Sequence, residues 1–295
     1  MNMDIVPGRY IVAVSGGVDS MTLLDLLKNE PRVELVVAHF DHGIRADSVQ
    51  DRELVQRTAK KYRLPFEYQE GRLGPEASEA AARKARYEFL ERVKAKYSAD
   101  AIITAHHQDD LLETAILNLL RGTGRKGLTS LMSRPGVIRP LLSYQKQEIL
   151  KYAREHDLAW REDSTNADDT YLRNYVRHHI IPELSDSAKR QFLEVIDKAR
   201  VTNQAMDEEL ASLSQYLATG TTLERRAFAE LPHSVAKELL ATWLRQQGIA
   251  DFDRATLERV TIAAKTKPPG THIDLLHGNS LLVAKEALAL RMCER

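Results

Sequence analysis

The chain has 295 residues, 43% of them hydrophobic and 28% charged, so it is long enough to bury a core and to form about two domains. Its single cysteine, Cys293, excludes an intramolecular disulfide and a cysteine-based zinc, iron-sulfur or sulfur-relay site, and it favours a reducing cytoplasm. The first residues lack a signal-peptide pattern, no apolar run approaches the roughly 18 residues of a membrane span, and the net charge of +0 shows no overall preference for a polyanion.

Strand and helix patterns alternate along the first 120 residues. Residues 10–14 predict a buried strand that ends in Ser-Gly-Gly, and residues 21–27 repeat apolar positions at helical spacing. Further strands are predicted at residues 33–40, 66–69 and 101–104, and further helices at residues 47–62, 77–97 and 109–120. Because strands alternate with helices of about ten or more residues, we predict a doubly wound α/β domain with a parallel sheet. Its ligand should lie at the carboxyl ends of the strands.

The pattern becomes mainly helical after Pro182. Residues 186–218 carry heptad-like apolar positions and predict one long helix or two, and further helices are predicted at residues 234–247 and 253–264. Residues 272–276 and 281–284 flank a His-Gly-Asn-Ser turn and predict a small terminal hairpin. We therefore divide the chain near residue 185, into an α/β domain of residues 1–185 and a mainly helical domain of residues 186–295.

Charge is segregated along the chain in spite of the neutral total. Residues 121–154 contain eight basic residues and one acidic residue, a balance of +7, whereas residues 155–170 have a balance of −5. Such runs are commonly solvated faces; the alternative is a footprint for a phosphate backbone.

The loop between the first strand and the first helix has the composition of an anion site. It consists of Ser15, Gly16, Gly17, Val18, Asp19 and Ser20. Glycines let the backbone approach a phosphate closely, and the helix N-terminus and serine hydroxyls supply donors. Asp19 beside phosphates implies a bridging cation, for which Mg²⁺ is suited. The alternative is a capped βα turn, and no Gly-Lys-Ser/Thr of a Walker loop follows.

Two pairs of charged residues have helical spacing. Asp110 and Glu113 are three residues apart, so they share a helix face and could hold an ammonium group; alternatively they complement the helix dipole. Arg83 and Arg86 have the same spacing and could clamp a phosphate or a base; alternatively they are a solvated face.

Two other patterns resemble known binding motifs but lack the features that those motifs require. His39, His42, His106 and His107 lack the spacing of a zinc site, so we interpret them as nucleotide contacts or packing residues. The glycines of residues 122–127 match a dinucleotide fingerprint, but they follow a predicted helix rather than a strand. We predict a flexible, basic loop that faces phosphate instead.

The hexapeptide of residues 15–20 resembles the pyrophosphate-binding loop of the PP-loop, or N-type, ATP pyrophosphatases. Further blocks resemble those of one family among them, the tRNA(Ile)-lysidine synthetases. These blocks are residues 39–45, 79–87, 105–114, 121–124, 138–142, 160–166, 173–174 and 180–182. The similarity covers roughly residues 10–185 and is weaker beyond.

This resemblance implies an adenine nucleotide alpha hydrolase-like fold and an ATP-dependent ligase. The reaction would join free L-lysine to the 2-position of the wobble cytidine of an isoleucine tRNA with the anticodon CAU. It would proceed through an adenylated cytidine, form lysidine, and release AMP and pyrophosphate. The helical domain would bind tRNA, and the protein would be cytoplasmic, without a membrane partner and with homodimer formation allowed.

The same resemblance assigns roles to residues. The catalytic residues would be Asp19, Arg83, Arg86, Asp110 and Glu113. ATP would contact residues 15–20, His39 and His106, and Asp19 would hold Mg²⁺. Substrate would contact Asp110, Glu113, Arg121, Arg173 and Asn174.

Three rival functions remain at the level of sequence. A tRNA thiolase would require cysteines in the core, and Cys293 alone does not supply them. A small-molecule amide ligase of the same superfamily would turn over ATP without RNA. A non-catalytic tRNA-binding protein would not hydrolyse ATP, although its loop would then be expected to have decayed.

Overall fold

The computed structural model describes residues 1, 3, 5–43, 48–71, 74, 78–132, 136–162, 172–249, 252–275 and 278–292, with Glu79 described by its backbone alone. Several sequence predictions fall on other positions and lie outside the described residues. These are the start positions 47 and 77 of two helices, residues 44–45 and 163–166 of the family-like blocks, Arg134 and residues 163–170 of the charge runs, the hairpin residues 276–277, and Cys293.

Five parallel strands form the first sheet. They are β1 (Gly8–Ala13), β2 (Val33–Asp41), β3 (Phe66–Glu70), β4 (Ala101–Ile103) and β5 (Val137–Ile138). Their order is β3-β2-β1-β4-β5, with parallel pairing throughout. The four predicted strands and the parallel sheet are confirmed. The fifth strand is two residues long, which is too short for an alternation pattern to reveal it.

Helices connect these strands and continue beyond them. They are α1 (Val18–Leu27), α2 (Ser48–Lys61), α3 (Glu79–Lys96), α4 (Gln108–Leu120), α5 (Lys146–Glu155), α6 (Leu172–Tyr175) and α7 (Asp186–Leu217). A 3₁₀ turn, Pro140–Ser143, precedes α5, and a π-helical turn, Val176–Ile180, continues α6. The sequence did not predict α5, because its buried apolar positions are only Ile149 and Ala153 among charged residues.

Alternate residues of β1 enter two different cores. Tyr10 and Val12 pack in a cluster with leucines of α1 and with Ile149 of α5. Ile11 lies in a separate cluster with Phe89 and Leu90 of α3. Because strand side chains alternate between faces, the two clusters lie on opposite faces of the sheet, which confirms the doubly wound architecture.

The strand order places a crevice at the carboxyl edge of the sheet. The chain moves outward from β1 to β2 and β3, and then crosses to β4 on the other side of β1. The loops after β1 and β4 therefore diverge at this point, where ligands of open α/β sheets bind. These loops carry residues 14–17 and 104–107. The loop of residues 15–20 and the family-like block of residues 105–114 therefore both begin at this edge.

Two compact units make up the chain, Met1–Asp197 and Lys198–Arg295. The sequence placed a domain boundary near residue 185, at the start of α7, whereas the units divide inside this helix. The second unit contains α8 (Arg225–Glu230), α9 (His233–Gln246) and α10 (Arg254–Thr266), and Trp243 and Phe228 are fully buried in its core.

The second unit also contains a five-stranded antiparallel sheet. Its strands are β6 (Ala218–Thr219), β7 (Thr222–Glu224), β8 (His272–Asp274), β9 (Ser280–Val283) and β10 (Ala287–Arg291), in the order β6-β7-β10-β9-β8. The predicted terminal hairpin is the β8–β9 pair. It is embedded in a larger sheet, because β10 pairs with β9 on one side and β7 on the other.

None of the helices in the described part of the chain combines the length and the apolar character required to cross a lipid bilayer.

Candidate active site

The loop after β1 is organised around one serine hydroxyl. Ser20 Oγ accepts hydrogen bonds from the backbone N–H groups of Ser15 (3.1 Å) and Gly16 (3.3 Å), and donates one to the carbonyl oxygen of Gly17 (3.0 Å). Gly16 has a φ of +97°, which side-chain-bearing residues rarely adopt. Gly17 is the N-cap residue of α1 and provides no side-chain cap. The first turn of α1 is therefore suited to an external anion.

A partly buried ion pair supports this loop from behind. Arg161 donates its backbone N–H to the carbonyl oxygen of Gly16 (3.0 Å), and its Nε donates to Asp51 Oδ1 (2.7 Å). Asp51 lies on α2 and is 6% exposed. A Cβ atom at Gly16 would lie 3.4 Å from the Cβ of Asp51, so the loop packs directly against α2. Arg161 thereby joins the loop to α2 through Asp51.

Asp19 lies in the first turn of α1 and contacts two side chains from other elements. Its Oδ1 accepts a hydrogen bond from Lys146 Nζ at 2.5 Å, and its Oδ2 lies 3.8 Å from His107 Nε2. Lys146 is the first residue of α5, and His107 precedes α4. The carboxylate thus connects three helix N-termini at one edge of the sheet.

Asp110 and Glu113 share a face of α4, as predicted, and both contact Arg177. Arg177 Nε lies 2.6 Å from Glu113 Oε1, and its Nη2 lies 2.9 Å from Glu113 Oε2 and 3.3 Å from Asp110 Oδ1. The π-helical turn carries this arginine to the acid pair. Arg177 thereby bridges the two carboxylates, while His107 Nε2 lies 3.4 Å from Asp110 Oδ2.

The environments of the two carboxyl groups shift their pKa values in opposite directions. Burial raises the pKa of Glu113 in spite of Arg177, because this side chain is fully buried. Burial also acts to raise the pKa of Asp110. His107 and Arg177 act against burial, and they lower the pKa of Asp110 below its ordinary value. His107 also donates its backbone N–H to Asp110 at 3.0 Å. Asp110 is therefore the group that retains its charge most readily.

His39 lies at the end of β2 and is 3% exposed. Its Nδ1 donates to the carbonyl oxygen of Val14 (2.8 Å), while its buried Nε2 has no hydrogen-bond partner. Burial lowers the pKa of His39, so the ring is neutral and Nε2 is an acceptor. A buried acceptor without a partner is costly, and a ligand donor at this position would satisfy it.

His106 follows β4 and lies within the electrostatic influence of three arginines. Burial lowers its pKa to about 3, against the effect of Asp110, and the positive charges of nearby arginines act in the same direction as burial. These arginines are Arg83, Arg86 and Arg139. The Nδ1 of His106 shares a hydrogen bond with Thr104 Oγ1 (2.8 Å), which fixes the ring. The predicted pair on α3 therefore lies close enough to His106 to influence its pKa.

The remaining predicted substrate residues do not share one location. Arg173 is close enough to Glu113 to influence its pKa, and Asn174 beside it is 8% exposed. Arg121 caps the opposite end of α4 and is exposed. Eleven residues of helix separate it from Asp110, roughly 16 Å at the usual rise. Arg121 is thus separated from the acid pair.

The sequence reasoning did not select Lys146 and Arg177, which bind the predicted acids. A signal for Arg177 was present, because Glu113 lies among the apolar residues Leu112, Ala115 and Leu117. A carboxylate on an apolar helix face requires a cation. No local pattern identifies Lys146, which is 127 residues from Asp19.

The described residues contain no group of three or more histidine, cysteine, aspartate or glutamate side chains arranged to hold a metal ion. The Asp19 carboxylate lies at the loop, with 28% of its side chain exposed. Mg²⁺ commonly binds one or two carboxylates together with phosphate oxygens, so this single carboxylate fits Mg²⁺ that arrives with a nucleotide.

Comparisons with known proteins found a matching family, similar sequences and similar folds. The sequence profile of a family described as PP-loop domain matches residues 3–184. A tRNA(Ile)-lysidine synthase from Thermotoga sp. (strain RQ2) is 41% identical over 188 residues, which cover 60% of this chain and 45% of that protein. One from Francisella tularensis subsp. holarctica (strain OSU18) is 30% identical over 283 residues, which cover 91% of this chain and 70% of that protein.

The coverage differs between these relatives. The matched part of this chain spans about half the length of the Thermotoga protein. Among solved structures, the U34-tRNA thiolase NcsA from Methanococcus maripaludis has a TM-score of 0.51 and 16% identity, and the match covers 66% of this chain and 73% of that one. This likeness shows a shared fold.

Proposed function

The chain belongs to the tRNA(Ile)-lysidine synthase family of PP-loop proteins, and from this premise we propose that it uses ATP to join free L-lysine to the wobble cytidine of an isoleucine tRNA with the anticodon CAU. The observation that carries the proposal is the short distance between two sites of different chemistry. His107 Nε2 lies 3.8 Å from Asp19 in the phosphate loop and 3.4 Å from Asp110 in the acid cluster. A nucleotide and an ammonium group could therefore react in one crevice.

The loop of residues 15–20 would bind the phosphates of ATP. Its uncapped helix N-terminus and the glycine at φ +97° support this role, and His39 Nε2 offers an acceptor for a nucleotide donor. Asp19 and phosphate oxygens would hold Mg²⁺, which supplies charge neutralisation when bound.

Arg83 and Arg86 would orient the cytidine and bind its phosphates. Together with Arg139 they influence His106 electrostatically, so their charges lie near the crevice. The 2-position oxygen of the base would then attack the α-phosphorus, the bond between the α- and β-phosphates would break, and pyrophosphate would leave. Positioning and charge neutralisation dominate such reactions.

Asp110 would receive the ε-ammonium of lysine, because its pKa is lowered and it keeps its negative charge, whereas both oxygens of Glu113 are bound by Arg177. Glu113 would act through Arg177, since both of its oxygens accept hydrogen bonds from this residue. After the amine loses a proton, its nitrogen would attack the 2-position carbon, and AMP would leave with the former base oxygen. Lysidine is the product.

The experiment is a direct search for the product. The full chain is incubated with ATP, Mg²⁺, lysine and the isoleucine tRNA, and the wobble nucleotide is analysed by mass spectrometry for a lysine adduct. We expect an adduct on cytidine, none on the same tRNA with uridine at this position, and loss of AMP formation in Asp19→Ala. Absence of the adduct with the cytidine tRNA would refute the proposal, and ATP turnover without RNA would favour a small-molecule ligase.

The cytoplasmic location stays part of this proposal, supported by the single cysteine. The homodimer also stays a prediction, and light scattering of the purified chain would test it.

A further inference from the structure

Lys146 occupies a position that its own helix does not favour. It is the first residue of α5, where the helix dipole disfavours a positive charge. Its Nζ lies 2.5 Å from Asp19 Oδ1, and about a third of its side chain is exposed. The contact with the phosphate loop, rather than the helix, therefore accounts for the placement of this cation.

Helices α1 and α5 hold Lys146 in place through a second contact. Tyr152 of α5 donates its hydroxyl to Asp25 Oδ2 of α1 at 3.0 Å. Both interhelix hydrogen bonds join residues that are 127 positions apart, so the two helices run parallel and in step. Their N-termini consequently lie side by side at the carboxyl edge of the sheet.

The loop of residues 15–20 can bind a polyanion well only when the negative charge of Asp19 is neutralised. Asp19 lies in the first turn of α1, where phosphates would bind, and its carboxylate would repel them. Lys146 removes this repulsion, and its four-carbon stem allows the ammonium to move a few ångströms toward an incoming phosphate. Lys146 can therefore neutralise Asp19 and also bind an incoming phosphate.

We propose that Lys146 is a ligand of the β- and γ-phosphates of ATP, and of the pyrophosphate that leaves, as a residue of the ATP site outside residues 15–20. This inference rests on the proposed use of ATP and adds a phosphate-binding residue to it. The adenosine and the α-phosphate do not depend on Lys146, because only the outer phosphates need the additional cation.

The test measures equilibrium binding of ATP, pyrophosphate and AMP to the full chain by isothermal titration calorimetry, with and without Mg²⁺. For Lys146→Met we expect the affinity for ATP and pyrophosphate to fall about tenfold, as removal of a charge-assisted hydrogen bond predicts. AMP affinity should stay within about twofold, since AMP lacks the outer phosphates. Lys146→Arg, which retains the charge, should recover most of the affinity.

Lys151→Met is the matched control. This lysine lies on the same helix, is 75% exposed and is 3.9 Å from Glu155, so its replacement should leave all three affinities unchanged. If Lys146→Met fails to fold, Lys146→Gln takes its place with the same expected difference between ATP and AMP.

Equal decreases for ATP and AMP, or no decrease for either, would overturn the role of Lys146. Wild-type protein that binds no ATP would instead refute the proposed function, so the two failures are distinguishable.

Discussion

Basic and acidic side chains alternate across the candidate site at the residue scale. In spatial order they are Lys146, Asp19, His107, Asp110, Arg177 and Glu113. The chain of contacts joins the phosphate loop to the acid cluster, so a change at one end alters the electrostatic potential at the other. Asp110 is central, because it is the carboxylate with the lowered pKa.

Asp110→Asn tests the assignment of the lysine site. The substitution retains the shape of the side chain but removes the negative charge of Asp110 that would attract an ammonium group, so we expect the KM for lysine to rise at least about tenfold. The KM for ATP should change less than about threefold, because the phosphate loop is intact. Steady-state kinetics with lysine and ATP varied separately provide the measurement.

Asp109→Asn is the matched control for this substitution. Asp109 lies in the same first turn of α4, so its replacement removes the same charge from the helix N-terminus. Equal increases in the KM for lysine in both variants would show that the helix dipole, and not a specific contact, explains the effect.

A buried carboxylate connects three elements behind the site. Asp25 of α1 is 4% exposed, forms an ion pair with Lys28, and accepts hydrogen bonds from Tyr62 (2.6 Å), which follows α2, and from Tyr152 (3.0 Å) of α5. Burial and the contact with Asp25 raise the pKa of Tyr152 to about 12. The network fixes α1 and α5 relative to each other, and thereby the loop that precedes α1.

Stability should depend on pH through Asp25. Burial acts to raise its pKa, but the hydrogen bonds from Lys28 and the tyrosines outweigh burial and lower it. A carboxyl group with a lowered pKa in the folded state stabilises that state above the unfolded pKa of about 3.9. This stabilisation disappears as the pH falls through the lowered value.

Asp25→Asn should therefore reduce the free energy of unfolding by about 2 kcal/mol at neutral pH, the usual scale of hydrogen bonds to a buried charge. The difference from wild type should shrink as the pH falls below about 4. Urea denaturation at a series of pH values measures it. Glu34→Gln, at an exposed pair with Arg9, should cost less than about 1 kcal/mol. A constant difference between wild type and Asp25→Asn across this pH range would contradict the assignment.

Burial and ion pairing reduce the number of basic residues between positions 121 and 154 that could contact an RNA backbone. Arg139, one of the eight basic residues between positions 121 and 154, is 3% exposed and donates to the carbonyl oxygen of Met132 at 2.8 Å. Lys146 contacts Asp19. The exposed members of this stretch include Arg121 and Lys126. The predicted footprint is therefore smaller than the sequence count.

RNA affinity should depend on salt through these exposed residues. Removal of one phosphate-binding charge should reduce the slope of log affinity against log salt concentration by about 1, so Arg121→Gln with Lys126→Gln should reduce it by about 2. Fluorescence anisotropy with labelled tRNA between about 50 and 200 mM salt measures the slope. Arg57→Gln on α2, 70% exposed and outside the basic stretch, is the control. Identical slopes for all three proteins would show that the basic stretch does not contact RNA.

The local sequence pattern was sufficient to predict the elements whose own residues form an apolar run or repeat at helical spacing. Strands β1 to β4 and the long helices were predictable, because continuous apolar runs and helical spacing are properties of neighbouring residues. The β5 strand and the strands β6, β7 and β10 of the second unit were not predicted. Most are two or three residues long, and the β4–β5 and β7–β10 pairs join segments that are distant in the sequence.

The sequence by itself determined the glycine-rich loop of residues 15–20 and its place at the carboxyl edge of a parallel sheet, because a glycine-rich turn between a strand and a helix is a local feature. It also determined the shared face of Asp110 and Glu113, which follows from helix geometry. Only the tertiary structure decided which cations these acids contact. Arg177 is 64 residues from Glu113 and Lys146 is 127 residues from Asp19, so packing of separate helices, and not any local periodicity, brings each pair together.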